Sequence, residues 1–255
     1  MNLELQGKRA IVTGGSRGIG LAIAKALAAE GCSVGLVART ESQLEQAAAA
    51  IRKLGSHVAW AAADVTDAAA HDQALAHLVH ELGGGVEIAV ANAGASAPGA
   101  ALEASDEIWR GQWELNFLSA ARLLRGCAPH MERAGYGSCI VVSSISAFEA
   151  FGRPAYVAAK ASLHGLVKTA AMEGAKKGIR VNAVAPGSIL FPGGSWDRRR
   201  TAEPEHFRQV EESIPFGRLG TAEEVANVAA FVASPKASWV SGAVLVVDGC
   251  QTVGF

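Results

Sequence analysis

Tyr156 and Lys160 are the two residues of this sequence whose types and spacing best suit acid–base chemistry. They lie four positions apart in a stretch predicted to be helical, and residues at that spacing share one face of a helix. A lysine ammonium beside a phenol favours the phenolate, which otherwise forms near pH 10. Work near neutral pH would need a pKa of roughly 7–8 for Tyr156, a change of about 3–4 kcal/mol. Alternatively, the two could be unrelated residues on a helix surface, because a YxxxK spacing often occurs by chance. The motif alone is therefore weak evidence for catalysis.

Residues 13–20, with the sequence TGGSRGIG, follow the first predicted strand and open the first predicted helix. Glycines there permit a tight turn and a close approach of the backbone to a pyrophosphate at the positive helix N-terminus. The spacing is GxxxGxG rather than the GxGxxG of the common dinucleotide-binding fingerprint. The motif therefore indicates a phosphate-binding turn, with an ordinary glycine turn as the alternative.

Short apolar runs alternate with longer helical patterns along the whole chain. This alternation predicts one α/β domain over residues 1–255, a doubly wound Rossmann-type fold with a seven-stranded parallel sheet. The predicted strands are Arg9–Thr13, Ser33–Ala38, His57–Ala62, Val86–Ala91, Ser138–Ser143, Arg180–Ala185 and Ala243–Val247. The predicted helices are Gly18–Glu30, Glu41–Leu54, Asp67–Leu82, Trp109–Ala134, Pro154–Lys177 and Thr221–Ser234, with Asp67 as an N-cap.

A less regular stretch at about 188–214 follows the turn at Pro186 and Gly187. We predict that it is a lid over a substrate, because long segments without a clear pattern are often lids. Four rings lie in this stretch or in the loop before the sixth helix, namely Phe148, Phe151, Phe191 and Trp196. They favour a substrate with an apolar part, although they could instead pack the lid onto the domain.

Composition excludes several classes of function. The net charge is −1, and the short run Arg198–Arg200 is interpreted as a solvated helix face, so we expect no nucleic-acid partner. The first residues are too polar for a signal peptide, and the chain lacks an apolar run of about 18 residues, so we expect no membrane association and a cytoplasmic protein. The four scattered cysteines show no metal-ligand spacing, and we expect no metal.

Taken in order, these motifs resemble the signature of the short-chain dehydrogenase/reductase family. That signature comprises TGxxxGxG, an NAG tripeptide, an Asn, a Ser, YxxxK and a PG turn. The corresponding residues here are Thr13–Gly20, Asn92, Ala93 and Gly94, Asn116, Ser144, Tyr156 and Lys160, and Pro186 with Gly187. The resemblance covers essentially the whole chain, as far as Val247, Asp248 and Gly249.

The resemblance implies an oxidoreductase that transfers hydride between a nicotinamide cofactor and a ketone or secondary alcohol. Its catalytic residues would be Asn116, Ser144, Tyr156 and Lys160. Tyr156 would exchange the proton, Ser144 would stabilise the charge on the carbonyl oxygen, and Lys160 would lower the tyrosine pKa and bind the nicotinamide ribose. Asn116 would help to hold a water linked to Lys160.

The resemblance also implies a set of cofactor-binding residues. They are Gly14, Ser16, Arg17, Gly18, Ile19, Gly20, Arg39, Asp64, Val65, Asn92, Ala93, Gly94, Tyr156, Lys160, Pro186, Gly187 and Ile189. Asp64 would contact the adenine edge with Val65 packed beside it, and the turn from Pro186 to Ile189 would lie along the nicotinamide.

The end of the second predicted strand indicates which cofactor is used. An NAD-preferring site places Asp or Glu there to bond the adenosine ribose. Ala38 takes that position here, Arg39 follows it, and Arg17 adds a second cation in the glycine turn. Guanidinium groups can bind a 2′-phosphate through paired hydrogen bonds, so we predict NADP(H). Solvated surface arginines are the alternative, and Thr40 is either a further contact or a helix cap.

Several assignments have open alternatives. Counting from the strand favours Ser144 as the family serine, whereas the distance to Tyr156 leaves Ser143 as the runner-up. Asn116 could simply kink its helix, and Asp64 could cap a turn. Phe191 stands where the family often has a Thr that helps to bind the cofactor, and Cys250 replaces the last glycine of the usual VDGG ending.

Family members resembling this chain are usually tetramers built from the two long helices and the C-terminal strand, so we expect a homotetramer or homodimer. His164 is predicted to be an interface or surface residue, and Trp109 and Trp113 are predicted to lie in the core. A noncatalytic NADP(H)-binding sensor or scaffold on the same fold is the competing interpretation. Such a protein would be expected to have lost Tyr156 or Lys160.

Overall fold

The computed structural model describes residues 1–149 and 152–254. Across these residues the chain forms nine strands and nine α-helices. The strands are β1 (Arg9–Thr13), β2 (Ser33–Ala38), β3 (Val58–Ala62), β4 (Ile88–Ala91), β5 (Gly137–Val142), β6 (Ile179–Pro186), β7 (Ile189–Leu190), β8 (Gly220–Thr221) and β9 (Val244–Val247). The helices are α1 (Gly18–Ala29), α2 (Glu41–Arg52), α3 (Ala68–Glu81), α4 (Asp106–Trp113), α5 (Ser119–Ala134), α6 (Pro154–Gly174), α7 (Ser195–Ala202), α8 (Pro204–Ser213) and α9 (Ala222–Ala233).

Seven of the strands form one parallel sheet in the order β3-β2-β1-β4-β5-β6-β9, which confirms the predicted fold class. The chain reverses direction across the sheet between β1 and β4. Thr13, the last residue of β1, pairs with Val37 of β2 and with Ala91 of β4, so the carboxyl ends of these strands are level. In open α/β sheets, ligands bind in the crevice outside the strand ends at such a switch point.

The sheet is buried on both faces because its strands are apolar at successive positions. Val12 packs into a cluster with residues of α1, α2 and α9, while the adjacent Ile11 packs into a second cluster with residues of α3, α5 and α6. Both side chains are fully buried. Burial of each such side chain contributes about 1.5–3 kcal/mol, so the two clusters hold the helices on opposite sides of the sheet.

The long helix predicted from Trp109 starts earlier, at Asp106, and is interrupted by a π-helical turn at Glu114–Leu118. Ser119 N donates to Glu114 O, five residues back. The Asn116 Nδ2 group donates to the Gln112 carbonyl oxygen at 3.1 Å. The side chain thus competes with the backbone for a helical acceptor, which periodicity does not reveal. Trp113 is 41% exposed, so its predicted place in the core is wrong.

The stretch at 188–214 is more regular than the sequence suggested, because it contains β7, α7 and α8. Trp196 of α7 and Phe207 and Val210 of α8 are buried in a small cluster of their own with Ile214 and Leu219. Only Trp196 is a large apolar residue in α7, so that helix shows no apolar periodicity. Packing of Trp196 into this cluster accounts for α7. In α8 and at its C-cap, by contrast, Phe207, Val210 and Ile214 recur at helical spacing and form a local apolar face.

The remaining elements begin and end close to the predicted bounds, and Asp67 caps α3 by accepting from the amides of Ala69 and Ala70. In the part of the chain that the structure describes, no helix combines the length and apolarity required to cross a membrane. Within the same residues, no group of three His, Cys, Asp or Glu side chains is arranged to hold a metal ion.

Candidate functional site

The loops after β1 and β4 are tied together at the crevice. The Asn92 side chain donates to the carbonyl oxygens of Thr13 and Gly14 at 3.0 and 3.1 Å. In return, Thr13 Oγ1 accepts from the backbone amides of Asn92 and Ala93 at 3.2 and 3.3 Å. Asn92 therefore holds the glycine turn against the neighbouring strand, at the edge where the resemblance places the cofactor.

The glycine positions of residues 13–20 have no room for a Cβ atom. A Cβ at Gly14 would lie 2.7 Å from Asn92 Nδ2, and one at Gly20 would lie 2.3 Å from the Gly14 carbonyl oxygen. Gly14 and Gly18 also have positive φ angles of 65° and 55°. Among the described residues, no side chain caps the N-terminus of α1, whose first turn is formed by Gly18, Ile19 and Gly20. Uncapped helix amides beside a bare backbone fit the pyrophosphate of a dinucleotide.

Arg39 and Asp64 lie near each other after the ends of β2 and β3, where the resemblance places the adenosine. Asp64 Oδ1 accepts from the amide and hydroxyl of Thr66 at 2.9 and 2.7 Å, so it caps a turn, as the alternative interpretation had it. These hydrogen bonds, together with a smaller effect of the Arg39 charge, lower the pKa of Asp64. The Val65 side chain is buried in the core, and its carbonyl oxygen accepts from Arg122 Nη1 at 3.4 Å, so its packing beside an adenine stays a prediction.

Arg17 reaches across to the predicted lid (residues 188–214, called the lid below), and its Nη1 donates to the Gly193 carbonyl oxygen at 2.7 Å. A cavity of about 350 Å³ lies beside it, and Ser16 and Gln43 also line this cavity. Phe191 packs against the glycine turn, since a Cβ at Gly18 would lie 2.6 Å from Phe191 Cε2. The phenylalanine that replaces the family threonine thus makes an apolar contact between lid and glycine turn.

Lys160, Asn116 and Gly94 converge beside Tyr156. Lys160 is 3% exposed, and its Nζ donates to the Val142 carbonyl oxygen at 2.7 Å and lies 5.6 Å from the centre of the Tyr156 ring. A Cβ at Gly94 would lie 2.7 Å from Asn116 Oδ1 and 3.2 Å from Lys160 Nζ. Gly94 therefore leaves the space in which these two side chains approach each other.

Asn116 is held from both sides in the π-helical turn. Its Oδ1 accepts from the Ala95 amide at 3.2 Å, and its Nδ2 donates to the Ala95 carbonyl oxygen at 3.0 Å. Asn116 is almost completely buried. It lies in the π-helical interruption of its helix and fixes the loop after β4 near Lys160, while its catalytic role stays a prediction.

The two candidate serines point in different directions. The Ser144 hydroxyl interacts with the Tyr156 phenol and accepts from the Ser146 amide at 3.1 Å. Ser143 is buried, and its Oγ lies 3.0 Å from His164 Nε2. The serine that faces Tyr156 is therefore Ser144, whereas Ser143 faces away from it.

Burial controls the protonation of the pair on α6. It lowers the pKa of the Lys160 ammonium to about 8. It also raises the pKa of the Tyr156 phenol above its ordinary value, and the interaction with Ser144 opposes this change to a smaller extent. The sequence suggested a lowered tyrosine pKa. The structure differs because the Lys160 ammonium donates to a backbone carbonyl and desolvation outweighs the other effects.

The turn after β6 packs against the residues that follow β9. Gly187 N donates to the Val247 carbonyl oxygen at 3.0 Å. A Cβ at Gly187 would lie 2.7 Å from the Cβ of Asp248. Pro186 and Ile189 are buried on either side of this turn. The turn is therefore held from behind by the C-terminal part of the chain.

Sequence reasoning missed the contacts of three residues. His164 is half-buried, contacts Ser143, and stacks with Phe148 at 4.8 Å between ring centres, while its place at an interface stays a prediction. Gln251 and Glu149 join the C-terminal residues to two loops of the site. No motif or spacing marks these residues, because their partners are distant in the sequence.

The rings expected to frame an apolar substrate are placed otherwise. Trp196 is 9% exposed in the lid's own cluster, and Phe191 packs on the glycine turn. Phe148 stacks on His164 and remains 42% exposed, while Phe151 lies outside the described residues. Phe191 therefore packs the lid onto the domain, as the alternative expected, whereas Trp196 packs within the lid itself. The apolar character of the substrate stays a prediction.

Comparison with known proteins identifies the family. The family model described as "Enoyl-(Acyl carrier protein) reductase" matches residues 14–252. The chain is 34% identical to the Homo sapiens protein "Dehydrogenase/reductase SDR family member 4" over 247 residues, which are 96% of this chain and 87% of that one. It is 37% identical to the Escherichia coli 3-oxoacyl-(acyl-carrier-protein) reductase FabG over 248 residues, 97% of this chain and 98% of that one.

A solved structure shows the same fold. L-sorbose reductase from Gluconobacter frateurii, complexed with NADPH and L-sorbose, has a TM-score of 0.93 and 36% sequence identity, with full coverage of both chains. The family model, the relatives and the sheet order agree. This chain belongs to the short-chain dehydrogenase/reductase family of oxidoreductases.

Proposed function

We propose that the protein transfers hydride between NADP(H) and a small-molecule ketone or secondary alcohol, with Tyr156 as the general acid and base. The observation that carries the proposal is the convergence of Ser144, Tyr156, Lys160 and Asn116 beside the crevice at the switch point of the sheet. The bound cofactor supplies or accepts the hydride. The residues of the chain orient the carbonyl group and move its proton.

In reduction, Tyr156 donates its proton to the carbonyl oxygen, and in oxidation it removes that proton. A raised pKa keeps the phenol protonated and suits its role as the acid. Ser144 Oγ accepts from the Ser146 amide, and its single hydrogen, which faces the Tyr156 phenol, would turn to the substrate oxygen when substrate binds. Donation from a preorganised hydroxyl stabilises negative charge as it develops there.

Lys160 and Asn116 support Tyr156. A lysine ammonium has three donors, of which one is directed to Val142. The others remain for the phenol and for the nicotinamide ribose of the cofactor. Asn116 holds the loop at Ala95 beside the ammonium and thereby maintains the position of Gly94.

The preference for NADP(H) rests on Arg39 and Arg17, and on Ala38 in the position where an NAD-preferring site has Asp or Glu. Both arginines are exposed at the crevice, and Ser16 and Gln43 line the cavity beside Arg17. One or two charge-assisted hydrogen bonds to a 2′-phosphate, at about 1.5–2 kcal/mol each for exposed arginines, imply a preference on the order of 10- to 10³-fold. The NADPH complex of the similar L-sorbose reductase supports the same choice.

The test is an activity screen of the purified protein with NADPH and NADH. The panel includes L-sorbose, a 3-oxoacyl thioester and alicyclic ketones, with the matching alcohols and NADP⁺ in the other direction. We expect cofactor oxidation with at least one ketone and faster turnover with NADPH. Tight NADPH binding without turnover of any member of the panel would favour the sensor or scaffold interpretation. Absence of NADPH binding would overturn the proposal.

A further inference from the structure

The residues after β9 form an ordered tail, Asp248–Gly254. Asp248 Oδ1 accepts from the Cys250 amide at 2.9 Å, and Oδ2 accepts from the amide and hydroxyl of Thr252, both at 2.8 Å. One carboxylate thus fixes the first turn of the tail. This turn directs the Gln251 side chain toward the loop that follows β6.

Gln251 makes a two-way contact with Ser188. Ser188 N donates to Gln251 Oε1 at 2.8 Å, and Gln251 Nε2 donates to Ser188 Oγ at 2.9 Å. Ser188 is 3% exposed, and its carbonyl oxygen accepts from Gly220 N at 3.0 Å. A Cβ at Gly187 would lie 2.8 Å from Gln251 Oε1, so the amide is packed directly against the PG turn.

The same tail also contacts the loop that carries the proposed catalytic serine. The Glu149 carboxylate accepts from the Val253 amide at 2.7 Å and from the Gly254 amide at 3.4 Å. Glu149 lies five positions after Ser144 in this loop. The tail therefore bridges the PG turn on one side of the reaction centre and the serine loop on the other.

We propose that Gln251 is a positioning residue that, through Ser188, sets the PG turn for the nicotinamide end of the cofactor. The proposal rests on the proposed function, because that function places the turn from Pro186 to Ile189 along the nicotinamide. Gln251 satisfies both the buried amide and the hydroxyl of Ser188, so its removal leaves two buried polar groups without their partner. The turn would then move to find new partners, while the adenosine end of the crevice would keep its shape.

The experiment compares two ligands by isothermal titration calorimetry. NADPH contacts the whole crevice, whereas adenosine 2′,5′-bisphosphate contains the adenosine end without the nicotinamide. The variants are Gln251→Met, which has similar length but no amide, and Gln251→Glu, whose carboxylate can accept from both the amide and the hydroxyl of Ser188. Loss of two hydrogen bonds predicts about 10-fold weaker NADPH binding for Gln251→Met, with adenosine bisphosphate affinity within about twofold. Gln251→Glu is expected to retain most of the wild-type affinity for NADPH.

Equal NADPH affinity in the wild type and Gln251→Met would overturn the proposal. So would an equal loss for both ligands, which would indicate a general effect on the fold. If Gln251→Met does not fold, Ser188→Ala removes the hydroxyl alone and decides the question. We expect about 2- to 5-fold weaker NADPH binding and unchanged adenosine bisphosphate binding for Ser188→Ala, and unchanged NADPH binding would reject the role. A wild-type protein that binds neither ligand would instead contradict the proposed function.

Discussion

Lys160 Nζ lies 5.6 Å from the centre of the Tyr156 ring and donates to the backbone carbonyl oxygen at the end of β5 rather than to the phenol. The pair is thus assembled on one face of α6 but is not hydrogen-bonded in this structure. Hydrogen bonds between catalytic groups often shorten only in the complex with substrate. Because the two side chains are not hydrogen-bonded to each other, the contribution of Tyr156 to catalysis and that of Lys160 to stability can be measured separately.

Replacement of Tyr156 by Phe removes the proton donor and leaves the ring. We expect NADPH affinity to stay within a few-fold of wild type, while kcat falls by at least ~10²-fold, as for the loss of a general acid. Steady-state kinetics with the best ketone of the panel and calorimetric titration of NADPH measure the two quantities. Near-normal turnover by Tyr156→Phe would refute the assignment of Tyr156.

The buried ammonium of Lys160 makes a pH-dependent contribution to stability. Burial lowers its pKa from 10.5 to about 8, so between these values the unfolded chain binds more protons than the folded one. Stability due to this residue therefore rises with pH across that window, by at most roughly 3 kcal/mol. At pH 7 both states are protonated, and the folded state bears the cost of burying the charge.

Lys160→Met isolates this contribution, because the buried cysteines that also titrate at high pH are common to both proteins. We expect the free energy of unfolding of the variant, relative to wild type, to fall by up to ~3 kcal/mol between pH 7 and pH 10.5. Urea denaturation at several pH values measures it. A difference that does not change with pH would show that Lys160 titrates as an exposed lysine does.

The cofactor preference should depend on the end of β2. In the double variant Ala38→Asp, Arg39→Leu, a carboxylate that can bond the ribose hydroxyls replaces the phosphate-binding cation. We expect the wild type to prefer NADPH by about 10- to 10³-fold in kcat/KM and the double variant to prefer NADH. Equal or better use of NADH by the wild type would reject the assignment. A double variant that still prefers NADPH would shift the determinant to other residues, with Arg17 the first to replace.

Cys250 adopts a φ of 62°, in the left-handed region that favours glycine, where the family ending usually has glycine. That conformation costs an L-residue roughly 1–2 kcal/mol, part of which glycine loses again in chain entropy. We expect Cys250→Gly to raise stability by about 0.5–1 kcal/mol, equivalent to roughly 1–4 °C in Tm for a chain of this size. The adjacent Gly249, at φ 63°, provides the matched control, since Gly249→Ala should lower Tm. A lower Tm for Cys250→Gly would contradict the prediction.

Exposed apolar residues near β9 suggest how copies of the chain associate. Trp239 is 99% exposed, Met172 of α6 is 70% exposed and Val246 of β9 is 43% exposed. We predict a homotetramer or homodimer that buries these residues, and light scattering should give a multiple of 26.2 kDa. Trp239→Asp should reduce the mass, whereas Leu54→Asp, at an exposed residue beyond the end of α2, should not. A wild-type mass of 26.2 kDa in a concentrated sample would disprove the assembly.

The sequence alone determined the succession of the seven sheet strands along the chain, the glycine turn and the YxxxK pair. Each of these is local: a parallel sheet buried on both faces requires continuous apolar strands, and the positive φ at Gly14 favours glycine. The spacing of Tyr156 and Lys160 on α6 follows from helix geometry. Such features are readable because residues within a few positions of each other define them.

Only the tertiary structure decided which serine faces Tyr156, how the lid folds and what Gln251 contacts. Ser143 and Ser144 are adjacent and chemically identical, and the direction of each depends on how the chain leaves β5. Gln251 meets Ser188 across 63 positions, and Val253 meets Glu149 across 104. Contacts at such separations depend on which strand ends the sheet brings together, and no local pattern of residue types records that.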